Sequence, residues 1–137
     1  MRQVAGRLLW IGNARDLRDV RAITDAEIAT VVELADSETL ASLPRDLIRY
    51  RFPLSDGGDN PEWLLRLTVN AIAGLIETKV RTLVCCSAGM CHSICVAAAG
   101  IVRAEGGNLQ DAIAVVAALG PADVSPGLLD QFTRILG

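Results

Sequence analysis

The residues that most constrain this chain are 81–107. Thr82-Leu83-Val84-Cys85-Cys86 is an unbroken, mostly apolar run, the pattern of a strand covered on both faces. The next six residues, Ser87-Ala88-Gly89-Met90-Cys91-His92, have room only for a tight turn, and Gly89 lets the backbone curl without a Cβ clash. A helix is expected from about Ser93 to Glu105, stopped by Gly106-Gly107. Its stretch from Ile94 to Val102 is apolar on every side, so it belongs inside the protein. It is too short to span a bilayer. A buried strand feeding directly into a buried helix is the unit of an α/β fold with a mainly parallel sheet.

The rest of the chain supplies further strands and helices in alternation. Arg7 to Ile11, ended by Gly12, predicts a first strand. Thr24, with Glu27 three residues on, matches a capping box that would open a short helix. Val31-Val32-Glu33-Leu34 predicts a second strand. Leu47 to Phe52 alternates, with Ile48, Tyr50 and Phe52 on one face, and predicts a third. Pro53 to Asn60 is expected to be a loop, with Asn60 capping a helix that has Pro61 at its first position. Leu65, Val69, Ile72 and Ile76 carry that helix to about Thr78. Arg81 to Cys86 is the fourth strand. Asn108 with Asp111 opens another helix, to about Leu119, and Pro126 opens the last, ending near Leu136. The fold class expected is α/β: one domain over residues 1–137, a central, mainly parallel β-sheet flanked by helices.

The chain has 137 residues, 51% of them hydrophobic and 21% charged, enough to enclose one core. Its net charge is −3, with no basic run and no aromatic ladder, which argues against nucleic acid as a partner. Met1 to Leu9 contains no apolar segment of signal-peptide length. No membrane partner and a cytoplasmic location are therefore expected. There is no Gly-Lys-Ser/Thr and no dinucleotide fingerprint.

Cys85, Cys86, Cys91 and Cys95 fall within eleven residues. A disulfide framework would spread its cysteines to join distant loops, so the cluster points to reduced thiols, a metal site or catalysis. With His92 the ligand types suit zinc, but the spacing does not match paired zinc ligands, and neighbours on a strand point to opposite faces. Cys86 stands where a parallel sheet binds ligands, beyond the carboxyl end of a strand. The helix that follows offers free amides and the positive end of its dipole, an anion site. The same field favours a thiolate at Cys86. Against this stands the plainer reading of Cys86 as a buried structural thiol. Asp56 and Asp59 lie in a Gly-rich turn and serve equally as turn formers. Cys91 and Cys95 read as small packing residues, and Cys91 or Cys85 as redox partners able to trap an oxidised Cys86. Arg45, Arg49 and Arg51 read as a solvated strand edge or a greeting surface for an acidic substrate.

The stretch Leu83 to Ser93 resembles the signature loop of the dual-specificity protein phosphatases: His-Cys, five residues, Arg, then Ser or Thr. Leu9 to Asp16 is similar to that family's first strand and the turn after it, and Phe52-Pro53-Leu54-Ser55-Asp56 to the segment carrying its general acid. The resemblance covers nearly the whole chain. It implies a phosphomonoester hydrolase working through a phosphocysteine, with a phosphorylated protein or small phosphomonoester as substrate and neither metal nor other cofactor. It assigns Cys86 as nucleophile and the amides of Ser87, Ala88, Gly89, Met90, Cys91 and His92 as the phosphate cradle. Asp56 becomes the general acid, with Asp59 the weaker candidate, and Ser93 the hydroxyl that meets the Cys86 sulfur as it leaves.

Two residues depart from the family pattern. Cys85 stands in place of His, and His92 in place of the Arg that grips two phosphate oxygens at once. Losing such a donor costs roughly 10²–10³-fold in rate. Three functions therefore remain open at this level: a weakened phosphatase, a pseudophosphatase that binds phosphate or phosphopeptide without turnover, and a rhodanese-type sulfurtransferase. The length of the loop and the presence of Asp56 count against the last. No pattern in the chain sets its oligomeric state.

Overall fold

The computed structural model describes residues 1–35, 46–55, 59–86, 92–118 and 124–136. In chain order they form β1 (Arg2–Gln3), β2 (Leu9–Asn13), a 3-10 turn (Asp16–Arg18), α1 (Val20–Asp25), β3 (Thr30–Ala35), β4 (Ile48–Leu54), α2 (Glu62–Glu77), β5 (Thr82–Cys86), α3 (His92–Glu105), α4 (Leu109–Ala117) and α5 (Pro126–Leu136). The strands make one sheet in the order β1-β2-β5-β3-β4. Only the β1–β2 pair is antiparallel; the other three pairings are parallel. This is the mixed α/β domain expected, with a mainly parallel sheet.

The side chains of the sheet divide it into two unequal layers. Leu9, Ile11, Val32, Leu34, Val84 and Cys86 face a large core shared with α2, α3, α4 and α5. Trp10, Val31, Leu83 and Cys85 face a smaller one closed by Leu17 of the 3-10 turn and Ile23 of α1. Helix α3 is enclosed, with every residue from Ser93 to Ile101 buried, as its all-round apolar pattern requires. Each of its large aliphatic side chains contributes roughly 1.5–3 kcal/mol by leaving water. The approach to α2 is close: a Cβ on Gly100 would collide with Ile72.

Several boundaries differ from expectation for local reasons. Helix α1 starts a turn earlier than Thr24, because the Asp19 side chain caps it by accepting from the Ala22 N–H at 3.1 Å. Thr24 and Glu27 mark its end instead. Glu27 sits in the left-handed region (φ 57°) and donates its N–H to the Thr24 carbonyl. Strand β4 continues through Pro53 to Leu54, tolerated because it is the outermost strand and its register with β3 slips between Glu33 and Ala35. Ile48 and Tyr50 share a face with Phe52 as the alternation predicts, and Tyr50 stacks on Phe52 at 6.0 Å between centroids. Burial begins only at Phe52, with Ile48 57% exposed. Pro61, not Asn60, occupies the cap position of α2, and Asn60 is drawn inward. The two-residue strand β1 is too short to leave a periodic signal.

Candidate active site

Strand β5 lies between β2 and β3, parallel to both, so its carboxyl end emerges mid-sheet. Cys86 is its last residue, opposite Asn13 of β2. The Cys86 side chain turns toward the larger core and is 5% exposed. Its Sγ lies 3.4 Å from Oγ of the fully buried Ser93, in the first turn of α3. His92 is the first residue of α3 and is half-buried. The first turn of a helix presents backbone N–H donors and the positive end of the dipole, which suit an anion. Asp56, Ser87, Ala88, Gly89, Met90 and Cys91 lie outside the described residues.

Cys85 sits on the other face of the sheet, in the small core with Trp10 and Leu83 and in register with Glu33. Burial, then the neighbouring Asp16, Cys86 and Glu33, pushes its thiol well above the ordinary range. Cys85 and Cys86 thus turn to opposite faces of the sheet.

Arg49 and Arg51 also differ from a merely solvated edge. The carboxylate of Glu33, 4% exposed, accepts from Arg49 Nε at 2.5 Å and Nη2 at 3.0 Å, and Arg51 Nη1 lies 3.8 Å away. The paired hydrogen bonds to Glu33 hold the Arg49 guanidinium in its charged form. These arginines neutralise a buried acid.

Behind the site, the turn after β2 is built by Asn13 and Asp16. Asn13 Oδ1 accepts from the N–H groups of Arg15 and Asp16, and Asp16 Oδ2 accepts from the Asn13 N–H at 2.9 Å. Gly12 permits this closeness, since a Cβ there would lie 2.8 Å from Asp16 Oδ2.

On the far side of the sheet's carboxyl edge, residues 55 and 59–60 form a polar latch. Asn60 accepts from the Ser55 N–H at 2.8 Å and donates to the Ser55 carbonyl at 3.0 Å. Asp59 Oδ1 accepts from Ser55 Oγ at 2.8 Å, which gives Asp59 a structural task. Gln131 of α5, 7% exposed, accepts from the Asn60 amide at 3.1 Å and donates to the Asn60 carbonyl at 2.8 Å. Gln131 did not emerge from the sequence. The one available signal was a polar residue on the inward stripe of α5 beside Leu128, Phe132 and Ile135.

No family model matches the chain, and no curated protein matches it. Solved structures do. Human DUSP28 superposes with a TM-score of 0.86 at 23% identity, over 98% of this chain and 94% of that one. A mouse putative dual-specificity phosphatase complexed with zinc tungstate gives 0.84 at 25% identity, over 96% and 83%. A human tyrosine phosphatase-like serine/threonine/tyrosine-interacting protein gives 0.78 at 16% identity, over 93% and 89%. The fold is that of the dual-specificity phosphatases.

Proposed function

We propose that the chain is a cysteine-dependent phosphomonoester hydrolase of the dual-specificity type, weakened by His92 at the arginine position. The observation that carries the reading is the pairing of Cys86, at the end of β5, with Ser93, in the first turn of the buried helix α3, 3.4 Å apart. The fold shared with dual-specificity phosphatases supports it.

In this reading the chemistry runs as follows. A phosphate ester sits in the amide cradle of 87–92, its charge met by the N-terminal end of α3. The Cys86 thiolate attacks phosphorus, and the ester oxygen leaves with a proton from Asp56. Water, deprotonated by the Asp56 carboxylate, then attacks the phosphocysteine. The departing sulfur receives a hydrogen bond from Ser93, and phosphate is released. His92 donates one hydrogen bond where an arginine would donate two, so turnover is slow. The substrate is a phosphorylated protein or a small phosphomonoester.

A second reading is favoured by His92 itself: a pseudophosphatase that binds phosphate or phosphopeptide without hydrolysis. One structure of this fold is described as phosphatase-like. Hydrolysis of an aryl phosphate under reducing conditions separates the two. Turnover by the wild type that vanishes in Cys86→Ser supports the enzyme. A silent wild type with an active His92→Arg supports the binding protein. Silence of both, with thiosulfate-dependent persulfide on Cys86, would overturn both in favour of sulfur transfer.

A further inference from the structure

We propose that the outward stripe of α2 docks a second copy of this chain, the two helices running antiparallel about a two-fold axis near Asn70. The pairing is independent of the chemistry at Cys86. At about 100° per residue, Trp63, Leu67, Asn70 and Gly74 fall within about 60° of one another around the helix. The stripe points away from the core, which α2 meets through Leu65, Val69 and Ile72. Trp63 is 67% exposed and Leu67, one turn on, is 52% exposed. Exposed apolar residues scattered singly need no partner, but a tryptophan and a leucine on adjacent turns form one patch. Gly74, two turns beyond Leu67, has open space where its Cβ would stand.

The stripe is complementary to itself, which selects a second copy as its occupant. Its amino-terminal half carries bulk at Trp63 and Leu67, and its carboxyl-terminal half carries a notch at Gly74. An antiparallel pair with its axis between residues 70 and 71 sets Leu67 of each copy level with Gly74 of the other. The same symmetry lays each flank of the stripe against the like flank of the second copy. Arg66 and Glu77, both exposed, lie on one flank. At about 1.5 Å of rise per residue, Arg66 comes within roughly one turn of the second copy's Glu77, so opposite charges meet. A parallel pair would instead set Arg66 against Arg66, Glu77 against Glu77 and notch against notch. One helix pair covers less than the roughly 1,600 Å² of a standard interface, so the dimer is weak, with a Kd on the order of 10–100 µM.

The test is sedimentation velocity of the full chain, thiols kept reduced, over roughly 5–500 µM. The mass should rise from monomer to dimer across that range. Trp63→Glu should weaken the association about tenfold or more by removing its largest anchor. Gly74→Leu fills the notch, leaves Trp63 and Leu67 in place, and should weaken it similarly. Arg66→Glu and Glu77→Arg should each weaken it roughly three- to tenfold, and the double variant should recover the wild-type affinity. The two positions lie about three turns apart on one helix, roughly 16 Å, so recovery reports a contact between copies and not within one. Every substitution is on the exposed side of α2, and circular dichroism confirms the fold of each variant. A chain that stays monomeric to the highest concentration overturns the pairing. If the emission of Trp63 then shifts to shorter wavelength on phosphatidylcholine vesicles, the face belongs to a lipid surface instead. Association that Trp63→Glu or Gly74→Leu leaves unchanged puts the contact elsewhere and overturns the pairing. A double charge reversal that stays as weak as its single parents overturns the antiparallel register and the pairing with it.

Discussion

Cys86 Sγ and Ser93 Oγ face each other at 3.4 Å between the last residue of β5 and the first turn of α3, both sealed from solvent. A hydroxyl so placed matters most when the sulfur carries negative charge, in the free thiolate and as it leaves the phosphocysteine. Ser93→Ala removes one oxygen from a packed site. It should slow breakdown of the intermediate by about 10²–10³-fold, the usual loss for one preorganised donor. Stopped-flow assays should then show a burst of phenol equal to the enzyme, followed by a slow steady state, with one phosphoryl group on Cys86 by mass spectrometry. No burst and unchanged turnover would remove Ser93 from the mechanism.

His92 at the head of α3 predicts a response to substitution. A guanidinium donates a forked pair of hydrogen bonds and carries a fixed charge where an imidazole donates one hydrogen bond. His92→Arg should therefore raise kcat/KM for an aryl phosphate by roughly 10²–10³-fold. An unchanged kcat/KM would mean that position 92 takes no part in binding the phosphate.

The strand and the helix on either side of residues 87–91 were legible because β5 and α3 are apolar on every side, a signal that needs no knowledge of neighbours. What the sequence hid depends on partners far along the chain. Asn60 has the local look of a helix cap before Pro61, yet its side chain is claimed by Ser55 and by Gln131, 71 positions away. Arg49 reads as a solvated edge until Glu33, 16 positions earlier on the adjacent strand, is seen beneath it. Thr24 and Glu27 match a capping box by spacing alone, but Asp19 had already supplied the cap. The adjacent cysteines part company by simple alternation: Cys86 faces the larger core and Cys85 the smaller one on the opposite face of the sheet.

That division has a consequence for stability at alkaline pH. Burial raises the Cys85 thiol in the folded protein, so between the ordinary thiol range and its shifted value the unfolded chain loses a proton that the folded one keeps. The folded state then binds more protons, and stability falls as pH rises, by about 1.4 kcal/mol per unit above roughly pH 9. Below that range the thiol is neutral in both states and contributes no slope. Denaturant unfolding from neutral to about pH 10.5 should show a shallower decline in Cys85→Ala than in the wild type. Thiol reagents should likewise modify native Cys85 only as fast as the protein unfolds. Parallel declines, or rapid native labelling of Cys85, would contradict its burial.

Two glycines should respond to alanine with opposite signs. On α3, Gly100 faces Ile72, whose Cβ would lie 2.8 Å from an added methyl, beside a buried β-branched side chain that has no free rotamer to retreat into. On α2, Gly74 has open space where its Cβ would stand. Each substitution gains up to about 1 kcal/mol of helix propensity. At Gly74 that gain is unopposed, and Gly74→Ala should stabilise by roughly 0.5–1 kcal/mol. At Gly100 overpacking costs about 1–3 kcal/mol and wins, so Gly100→Ala should destabilise. Because α3 carries Ser93 at its head, the strain should also reach the site, and Gly100→Ala should lower turnover under conditions where the protein remains folded. Midpoints of chemical unfolding for the two variants settle the matter. A stabilised Gly100→Ala would mean that α2 and α3 have room to separate, and that their close approach does not hold Ser93 against Cys86.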